Sequence, residues 1–538
     1  MRLISLSGRF FHGVARDLAF ASMLAAGGAH GVCAEAATSG AMQWPFWGGS
    51  VLNKSYAPNE TKLSPATVPN LKKKWVFTTH GSVSATPTVD GDYVYATDAK
   101  GYVYKINRND GSKVWEVSVP SIIGTTSGKT SSVYSRNSPA ITSTALIFGD
   151  QASETVMAID KNSGAKLWTK SLKTTGSGHI TSSPVVYNNV VYAGVSSFED
   201  GSVLFEGKKG PSFRGSVWAL NATTGEEIWH QNTVPDGYTG GGVWGSTLVV
   251  DAARGSIYAT TGNNYSLPTS VTACVNAIGQ NQDESDPETL SKQDACLASD
   301  DYVDSVIAYD MSSGNVKWAQ RMQGADVWTV FCLFNSSKKC PFKGVDWDFG
   351  SGANLIDATI NGQHKQLLGA GNKSGIYRAL DPDTGATVWT AMAGPPGTEG
   401  GIQWGSATDD THVYVAETNF DNTAFTLIDG SSWNHGVWAA LDAATGKILW
   451  QTKPPSHRGV QGQSTPGAVS VANGVVYAGT LGGYFVALDA SNGKTLWNYQ
   501  SGGSVIDSPS IVDGVLYWGS GYQRQAHPNN QLYAFYVP

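Results

Sequence analysis

The chain has 538 residues, with 63 glycines, 18 tryptophans and 22 tyrosines, and only 15% of its residues are charged. This composition favours short strands joined by tight turns, so a length that would otherwise suggest several domains is compatible with one ring-shaped all-β domain. The net charge of −7, without a basic tract, argues against nucleic acid or an anionic lipid surface as a partner. No apolar stretch approaches the 18 or so residues of a membrane span, so none is expected.

Residues 1–36 are predicted to be an export signal peptide. Three arginines precede an uncharged, mostly apolar run over residues 18–32, and Ala34–Ala36 offers a small-x-small cleavage site. The run is short for a bilayer, although a retained N-terminal anchor is the alternative. The mature chain, residues 37–538, is therefore expected in the periplasm or outside the cell.

A repeated unit organises the rest of the chain. Seven copies of a short strand, an Asp or Asn turn ending in glycine, and a strand with tryptophan occur, as in Ala219–Trp229 and Ala487–Trp497. The Asp or Asn side chain can bond the backbone two residues on, and glycine supplies the positive φ of a tight reversal. The tryptophan buries a large apolar face between neighbouring units. Alternating strands with a central turn lie between the copies and predict hairpins.

An eighth unit is divided between the two ends of the chain. LKKKW ends at Trp75 without a preceding turn, and Gln531–Pro538 ends the chain without a following tryptophan. Joined, they complete one unit, and pairing them would leave no free sheet edge. The sequence therefore predicts an all-β, eight-bladed β-propeller over residues 37–538. Its blades are four-stranded and antiparallel, and the N- and C-terminal strands pair to close the ring.

Two insertions, Ser266–Tyr302 and Ala325–Val345, interrupt the regular spacing and carry all four cysteines that lie outside the signal peptide. An even number of cysteines in an oxidising compartment predicts two disulfides, with three possible connectivities. The preferred connectivity closes the shortest loops and pairs Cys274 with Cys296 and Cys332 with Cys340. No CxxC or CxxCH motif offers a zinc ribbon or a covalent haem site.

The repeat A-x-D-x-x-T-G-x-x-x-W resembles that of quinoprotein alcohol dehydrogenases, which bind pyrroloquinoline quinone (PQQ). The opening WPFWGGSVLNKSYAPNETKLSPATVPNLKKKW and the string SFRGSVWALNATTG are most similar to the polyvinyl alcohol dehydrogenase branch, but without that branch's cytochrome domain. The resemblance covers essentially the whole mature chain. It implies oxidation of primary or secondary alcohols, small or polymeric, with PQQ and Ca²⁺ as cofactors. Electrons would pass to a separate cytochrome c or a similar acceptor.

The resemblance also implies a catalytic base and metal ligands. Asp348, in VDWDFGSG, matches the catalytic base, which accepts the alcohol proton as hydride leaves the carbinol carbon. Glu199, Asn263 and Asp348 are implied as ligands of a calcium ion, which takes hard oxygen donors and acts as a Lewis acid on the quinone carbonyl. Asp200 and Glu206 compete with Glu199 for the carboxylate role.

Seven further residues are implied to contact the quinone. Trp244, in GVWGS, would stack beneath its ring, and positive and hydroxyl groups suit a ligand with three carboxylates. The implied residues are Trp244, Lys373, Arg136, Thr181, Ser196, Gln403 and Trp404.

The sequence also departs from the family at several positions. The adjacent-cysteine disulfide that covers the second quinone face in many relatives is absent, and SGKTSSVYSR stands at the matching place. Ser84 replaces a first-blade Glu of some relatives. Gly350 stands where lanthanide-using relatives have a second Asp, which favours calcium.

Other interpretations remain open at this point. Trp244 could be ordinary packing between blades, and Asp348 and Asn263 could serve only in turns. The second functional hypothesis is a propeller that has lost the cofactor and acts as a periplasmic binding or assembly scaffold, as the missing cysteine pair suggests. A retained buried charged pocket would argue against it, because unpaired buried charges are costly. A third is an enzyme of this fold that acts on sugars or aldehydes.

Overall fold

The structure, a computed structural model, describes residues 43–124, 135–202, 210–279, 286–334, 340–456, 462–522 and 527–538. The predicted signal peptide lies outside the described residues, and so do Glu206 and most of SGKTSSVYSR. Within these ranges there is no helix of the length and apolarity needed to cross a membrane.

Eight antiparallel sheets of four strands form the blades of a β-propeller, which confirms the predicted fold. The strands of blade 1 are Thr88–Asp90, Tyr93–Thr97, Tyr102–Asn107 and Lys113–Ser118, and those of blade 2 are Ala140–Ile141, Ala145–Gly149, Thr155–Asp160 and Lys166–Ser171. Blade 3 has Val185–Tyr187, Val190–Ser197, Ser216–Asn221 and Glu227–Asn232, and blade 4 has Val249–Asp251, Ser256–Thr260, Ser305–Asp310 and Val316–Arg321.

The second half of the ring repeats this pattern. Blade 5 consists of Asn354–Ile360, Gln363–Gly371, Ile376–Leu380 and Thr387–Met392, and blade 6 of Ala407–Thr408, His412–Glu417, Val437–Asp442 and Ile448–Thr452. Blade 7 consists of Ser470–Ala472, Val475–Gly479, Tyr484–Asp489 and Thr495–Gln500. Blade 8 consists of Ser510–Val512, Val515–Ser520, Gln531–Tyr536 and the N-terminal strand Lys72–Thr78.

Ring closure occurs as predicted from the divided eighth unit. Lys72–Thr78 pairs antiparallel with Gln531–Tyr536, and Trp75 lies opposite Ala534. The first strands of neighbouring blades contact one another around the ring, so these strands are the innermost ones.

The repeated turn joins neighbouring blades as well as neighbouring strands. In blade 4, Asp310 Oδ1 accepts the backbone N–H groups of Ser312 and Ser313 at 3.1 and 2.9 Å, and Gly314 has a φ of +72°. The indole nitrogen of Trp229, in blade 3, donates to the carbonyl of Met311 at 3.0 Å. A Cβ on Gly314 would lie 2.6 Å from the Trp229 ring, so this position requires glycine for both its φ and its space.

The long connections all emerge at one face of the ring. In an antiparallel blade, the connection between the second and third strands and the connection to the next blade leave from the same end. The insertions in blades 3, 4 and 6 lie between the second and third strands, and the insertion before blade 5 lies in the connection from blade 4 to blade 5. Small elements within the connections and the N-terminal region are the helices Val119–Ile123, Glu199–Ser202, Thr269–Ile278 and Pro287–Asp294, the 3₁₀ turns Val68–Asn70 and Val330–Phe334, and the short strands Tyr56–Ala57, Gly178–His179, Thr239–Gly240, Asn264–Ser266, Phe425–Thr426 and Ser432–Trp433.

Both predicted disulfides are present. Cys274 bonds Cys296 across the two helices of the blade 4 insertion, and Cys332 bonds Cys340 in the connection before blade 5. The preference for the shortest loops is therefore confirmed.

Candidate cofactor-binding site

A cavity of about 270 Å³ opens on the face of the long connections, close to the lower end of the volumes of ligand pockets. Nine of the ten site residues predicted from sequence line it, all except Glu199. They are Arg136, Thr181, Ser196, Trp244, Asn263, Asp348, Lys373, Gln403 and Trp404.

These side chains converge because of where they lie in their blades. Thr181, Trp244 and Gln403 each come a few residues before the first strand of a blade. Asn263 and Lys373 instead follow a second strand. Both kinds of position end at the same face of the ring near the axis, so residues far apart in sequence meet there.

Two tryptophans give the cavity flat aromatic surfaces, each next to a cation. The ring centroids of Trp244 and Trp404 are 5.5 Å apart, and the rings cross at 76°. Lys373 Nζ lies 5.3 Å from the Trp244 ring, and Arg136 Cζ lies 4.4 Å from the Trp404 ring. Aromatic faces with adjacent positive charge suit a planar anionic ligand.

Asp348 is held by two donors at the cavity wall. Its Oδ2 accepts the indole N–H of Trp244 at 2.6 Å, and its Oδ1 lies 2.6 Å from Lys373 Nζ. Trp244 and Asp348, which are 104 positions apart in the sequence, are thus joined at the cavity wall. A Cβ on Gly262 would lie 2.7 Å from Asp348 Oδ2, so a larger residue there would displace the carboxylate.

Lys373 bridges two buried carboxylates. Its Nζ lies 3.2 Å from Asp346 Oδ2 in addition to its contact with Asp348. Burial alone would lower the pKa of Lys373, but the charges of Asp346 and Asp348 outweigh it and raise the pKa above the ordinary value. Lys373 is therefore a fixed cation that balances the negative charge of these carboxylates.

Hydroxyl groups lie on another part of the wall. Thr181 Oγ1 and Ser196 Oγ are 2.8 Å apart, and Arg136 Nη1 donates to the Tyr522 hydroxyl at 3.5 Å. All four residues line the cavity, so both hydroxyl donors and a guanidinium are available to ligand carboxylates.

Asn263 has its amide nitrogen committed to the protein. Its Nδ2 donates to the carbonyls of Asn264 and Trp328 at 2.8 and 2.9 Å. Within the described part of the chain, its Oδ1 accepts no hydrogen bond, and the residue lines the cavity. The amide is thus fixed through its nitrogen, and its oxygen could bind a cation or another ligand.

Glu199 is the one predicted site residue that the structure places outside the cavity lining, and its role as a metal ligand stays a prediction. Its carboxylate accepts the backbone N–H groups of Ser177, Ser212 and Phe213 at 2.8, 2.6 and 2.8 Å, and the residue does not line the cavity. These bonds fix the connection after the second strand of blade 3. The next residue, Asp200, does line the cavity.

The oxygen atoms of the cavity wall could bind a cation only together with oxygen ligands that do not come from the protein. The described residues include no group of three or more His, Cys, Asp or Glu side chains that could hold a metal by themselves. Asn263 and Asp348 offer hard oxygen atoms, and Asp200 adds a nearby carboxylate. Because Ca²⁺ takes six to eight oxygens, this set fits an ion that completes its coordination with ligand and water oxygens.

Several lining residues were not found by sequence reasoning, namely Phe198, Tyr265, Trp328, Asp346, Glu399 and Tyr522. Asp346 had only one signal, its place two residues before Asp348 in the string VDWDFG, and its φ of +61° shows that no strand period positions it. Behind it, the Asp326 carboxylate accepts the backbone N–H groups of Asp346 and Trp347 at 3.1 and 2.9 Å and so fixes this segment. Trp328 and Tyr522 lie in different connections without a local pattern.

Comparison with known proteins finds relatives that match most of the chain. The polyvinylalcohol dehydrogenase of a Pseudomonas species is 27% identical over 90% of this chain and 74% of that protein. Among solved structures, quinohemoprotein alcohol dehydrogenase from Comamonas testosteroni has a TM-score of 0.68 at 19% identity, covering 92% of this chain and 80% of that chain. Europium-containing methanol dehydrogenase has a TM-score of 0.67 at 17% identity, covering 92% and 98%.

The resemblance to quinoprotein alcohol dehydrogenases is thus confirmed by relatives over most of the chain. The profile of the PQQ_2 family, described as outer membrane protein assembly factor BamB, matches residues 69–209, 213–331 and 434–535. Because these segments make up more than half of the sequence, the chain belongs to the PQQ_2 family.

Proposed function

We propose that this protein is a periplasmic alcohol dehydrogenase that uses PQQ and Ca²⁺ and passes electrons to a separate cytochrome c or similar acceptor. The observation that carries the proposal is the wall formed by Trp244, Asp348 and Lys373, in which an aromatic face, a carboxylate and a cation are joined within hydrogen-bonding distance. The relatives named as dehydrogenases support the reaction class.

When bound, PQQ supplies the two-electron acceptor of the reaction. Trp244 offers it a face, and Arg136 and Lys373 balance its carboxylates. Asn263 and Asp348 would hold the cation, with Asp200 as the additional carboxylate. Asp348 accepts the proton of the substrate hydroxyl, and Lys373 and the Trp244 indole hold its carboxylate in place at 2.6 Å each.

Calcium is preferred over a lanthanide because of Gly350. A Cβ at this position would lie 2.5 Å from the Trp244 ring, so no second carboxylate can stand two residues after Asp348. A trivalent ion would leave more charge for the protein to balance, and this position cannot provide it. Parallel loading with Ca²⁺ and with a lanthanide tests the choice, and higher activity with the lanthanide would contradict it.

The test is reconstitution of the purified protein with PQQ and Ca²⁺, followed by assay with primary, secondary and polymeric alcohols and an artificial electron acceptor. Activity is expected to require both PQQ and the metal. Asp348→Asn keeps the shape but removes the base, and we expect it to lower kcat by at least about a hundredfold. Full activity in this variant would refute the assignment of the base.

The alternative, a scaffold without cofactor, is favoured by the missing adjacent-cysteine pair and by the description of the family profile as an assembly factor. Against it, the charges of Asp346, Asp348 and Lys373 are buried at a cavity, where their desolvation is costly without a function. Titration with PQQ separates the two, because a scaffold does not bind it.

A further inference from the structure

Residues 44–57, here called the axial segment, precede the first blade in sequence but lie against the innermost strands of the ring. Each innermost strand has one edge without a partner in its own blade, and unpaired backbone groups at such an edge are costly when buried. The axial segment provides partners for six blades. At one end of the axial segment, Trp44 pairs with Val89 of blade 1. At the other end, the strand Tyr56–Ala57 pairs in parallel with the first strand of blade 7.

Between these ends, carbonyl groups of the segment accept backbone N–H groups from one blade after another. The bonds run from Ile141 to Pro45 (3.0 Å), Val250 to Val51 (2.9 Å), Leu355 to Leu52 (3.1 Å), Thr408 to Lys54 (2.9 Å) and Val471 to Ser55 (2.9 Å). These donors belong to the first strands of blades 2, 4, 5, 6 and 7. A segment that bonds the inner strands of one blade after another must lie at the centre of the ring, and it therefore closes the central opening.

The axial segment has a compact shape that only small residues permit. The N–H of Ser55 donates to the carbonyl of Gly48 at 2.9 Å, and a Cβ on Gly48 would lie 2.1 Å from Asn53 Oδ1. Lys54 Nζ anchors the segment by ion pairs of 2.7 Å to Asp357 and to Asp410. The segment is therefore fixed to the ring by its backbone and by a side chain.

Trp47 is the residue of this segment that packs behind the tryptophans of the cofactor cavity. It is 4% exposed and packs in one apolar cluster with Trp404, Ile506 and Tyr522, with Trp244 at the edge of the cluster. A void of only about 10 Å³ lies among Trp47, Trp244 and Trp404, room for no more than about one water. Trp47 itself does not line the main cavity.

We propose that Trp47 is a positioning residue for the cofactor cavity, which supports the rings of Trp404 and Trp244 from the axis of the propeller. The inference rests on the proposed function, since it assigns Trp47 a part in cofactor binding. Two aromatic rings that cross at 76° need support on the side away from the ligand to keep their orientation before the ligand binds. Without Trp47 the rings lose this support, and affinity falls although no contact to the ligand is removed.

The experiment measures the Kd for PQQ in the presence of Ca²⁺ by isothermal titration calorimetry on the full chain. Trp47→Leu, which fills much of the volume without a flat ring, is expected to raise Kd about tenfold. Trp47→Phe restores a ring and is expected to stay within about threefold of the unmodified chain. The matched control is Trp450→Leu, because Trp450 is equally buried between blades but donates to Ala490, far from the cavity. It should lower Tm and leave Kd unchanged.

Each outcome decides a different point. An unchanged Kd in Trp47→Leu, or an equal rise in Trp450→Leu, overturns the positioning role and leaves the proposed function intact. No binding of PQQ by the unmodified chain overturns the proposed function and this inference with it. If Trp47→Leu does not fold, Lys54→Met replaces it, with Lys161→Met, which breaks the ion pair to Asp90, as its control. Only the Lys54 variant should then raise Kd, by about threefold, and equal effects of both variants overturn the inference.

Discussion

The indole N–H of Trp244 can be removed without removing an aromatic face, and Trp244→Phe does this. In the structure this N–H donates to Asp348 Oδ2 at 2.6 Å, in a wall where Asp348 is 4% exposed. The substitution therefore separates two roles of one residue, the face offered to the cofactor and the orientation of the base. We expect the first role to survive and the second to be lost.

The magnitude follows from the kind of bond that is broken. A hydrogen bond to a charged group contributes about 1.5–3 kcal/mol. Each 1.36 kcal/mol of transition-state stabilisation corresponds to a factor of ten in rate. If most of the bond energy orients the carboxylate during proton transfer, kcat falls by about 10- to 100-fold. The Kd for PQQ should change by less than about fivefold, because the phenyl ring still stacks.

The assay compares kcat and the Kd for PQQ in the reconstituted wild type, Trp244→Phe and Trp450→Phe. The last variant loses an indole hydrogen bond of similar length, 2.9 Å to the Ala490 carbonyl, at a site between blades. Its kcat should equal that of the wild type. A Trp244→Phe enzyme with unchanged kcat, or with weaker PQQ binding as its only defect, would refute the view that the indole N–H orients the base.

Three further results are expected. Gly314→Ala should lower the free energy of unfolding by more than about 2 kcal/mol, because the new Cβ would clash with Trp229. Gly91 also has a positive φ, but a Cβ added there would have no atom within 4 Å, so Gly91→Ala should cost only about 1 kcal/mol. Equal losses in urea titrations would contradict the packing argument. Burial raises the pKa of Glu417 to about 8, above the ~4.3 of an unfolded chain, so the folded state holds more protons and the free energy of unfolding falls as pH rises from about 4 to 8. Glu417→Gln should remove this contribution, and an unchanged pH dependence would refute it. Replacing Cys274 and Cys296 by serine should cost about 3 kcal/mol of stability, measured in guanidinium, with kcat within twofold; a large loss of kcat would show that the insertion shapes the cavity.

The fold could be predicted because its information is local. Each repeat contains its own reversal, as at Asp310 and Gly314, and its own contact to the next blade, as at Trp229. Seven copies and two half-copies determine the number of blades and the closure of the ring. The disulfide pairing could be predicted for the same reason, because each bond joins two cysteines of one insertion.

Most of the cavity could be predicted through resemblance, because short strings around Trp244, Asp348 and Lys373 are similar to those of the family. Which of Glu199 and Asp200 lines the cavity could not be predicted, since it depends on which side chain turns towards backbone N–H groups of residues 177, 212 and 213. Those donors are brought to Glu199 by tertiary structure.

The axial segment was also beyond sequence reasoning. Its residues have neither the period of two of a strand nor that of a helix. Their bonds are to strands of six blades that lie between about 45 and 420 positions away in the sequence. The contacts that the two tryptophans and two glycines of the string WPFWGG make exist only in the assembled ring, so the string alone does not reveal their roles.

The proposed function requires one cavity that holds both a planar quinone and a cation, and a crystal structure of the protein grown with PQQ and Ca²⁺ would show whether it does. We expect a flat ligand against Trp244, with its carboxylates towards Arg136 and Lys373, and an ion bonded to the oxygens of Asn263 and Asp348. An empty cavity at saturating PQQ, or an ion bound elsewhere, would contradict it.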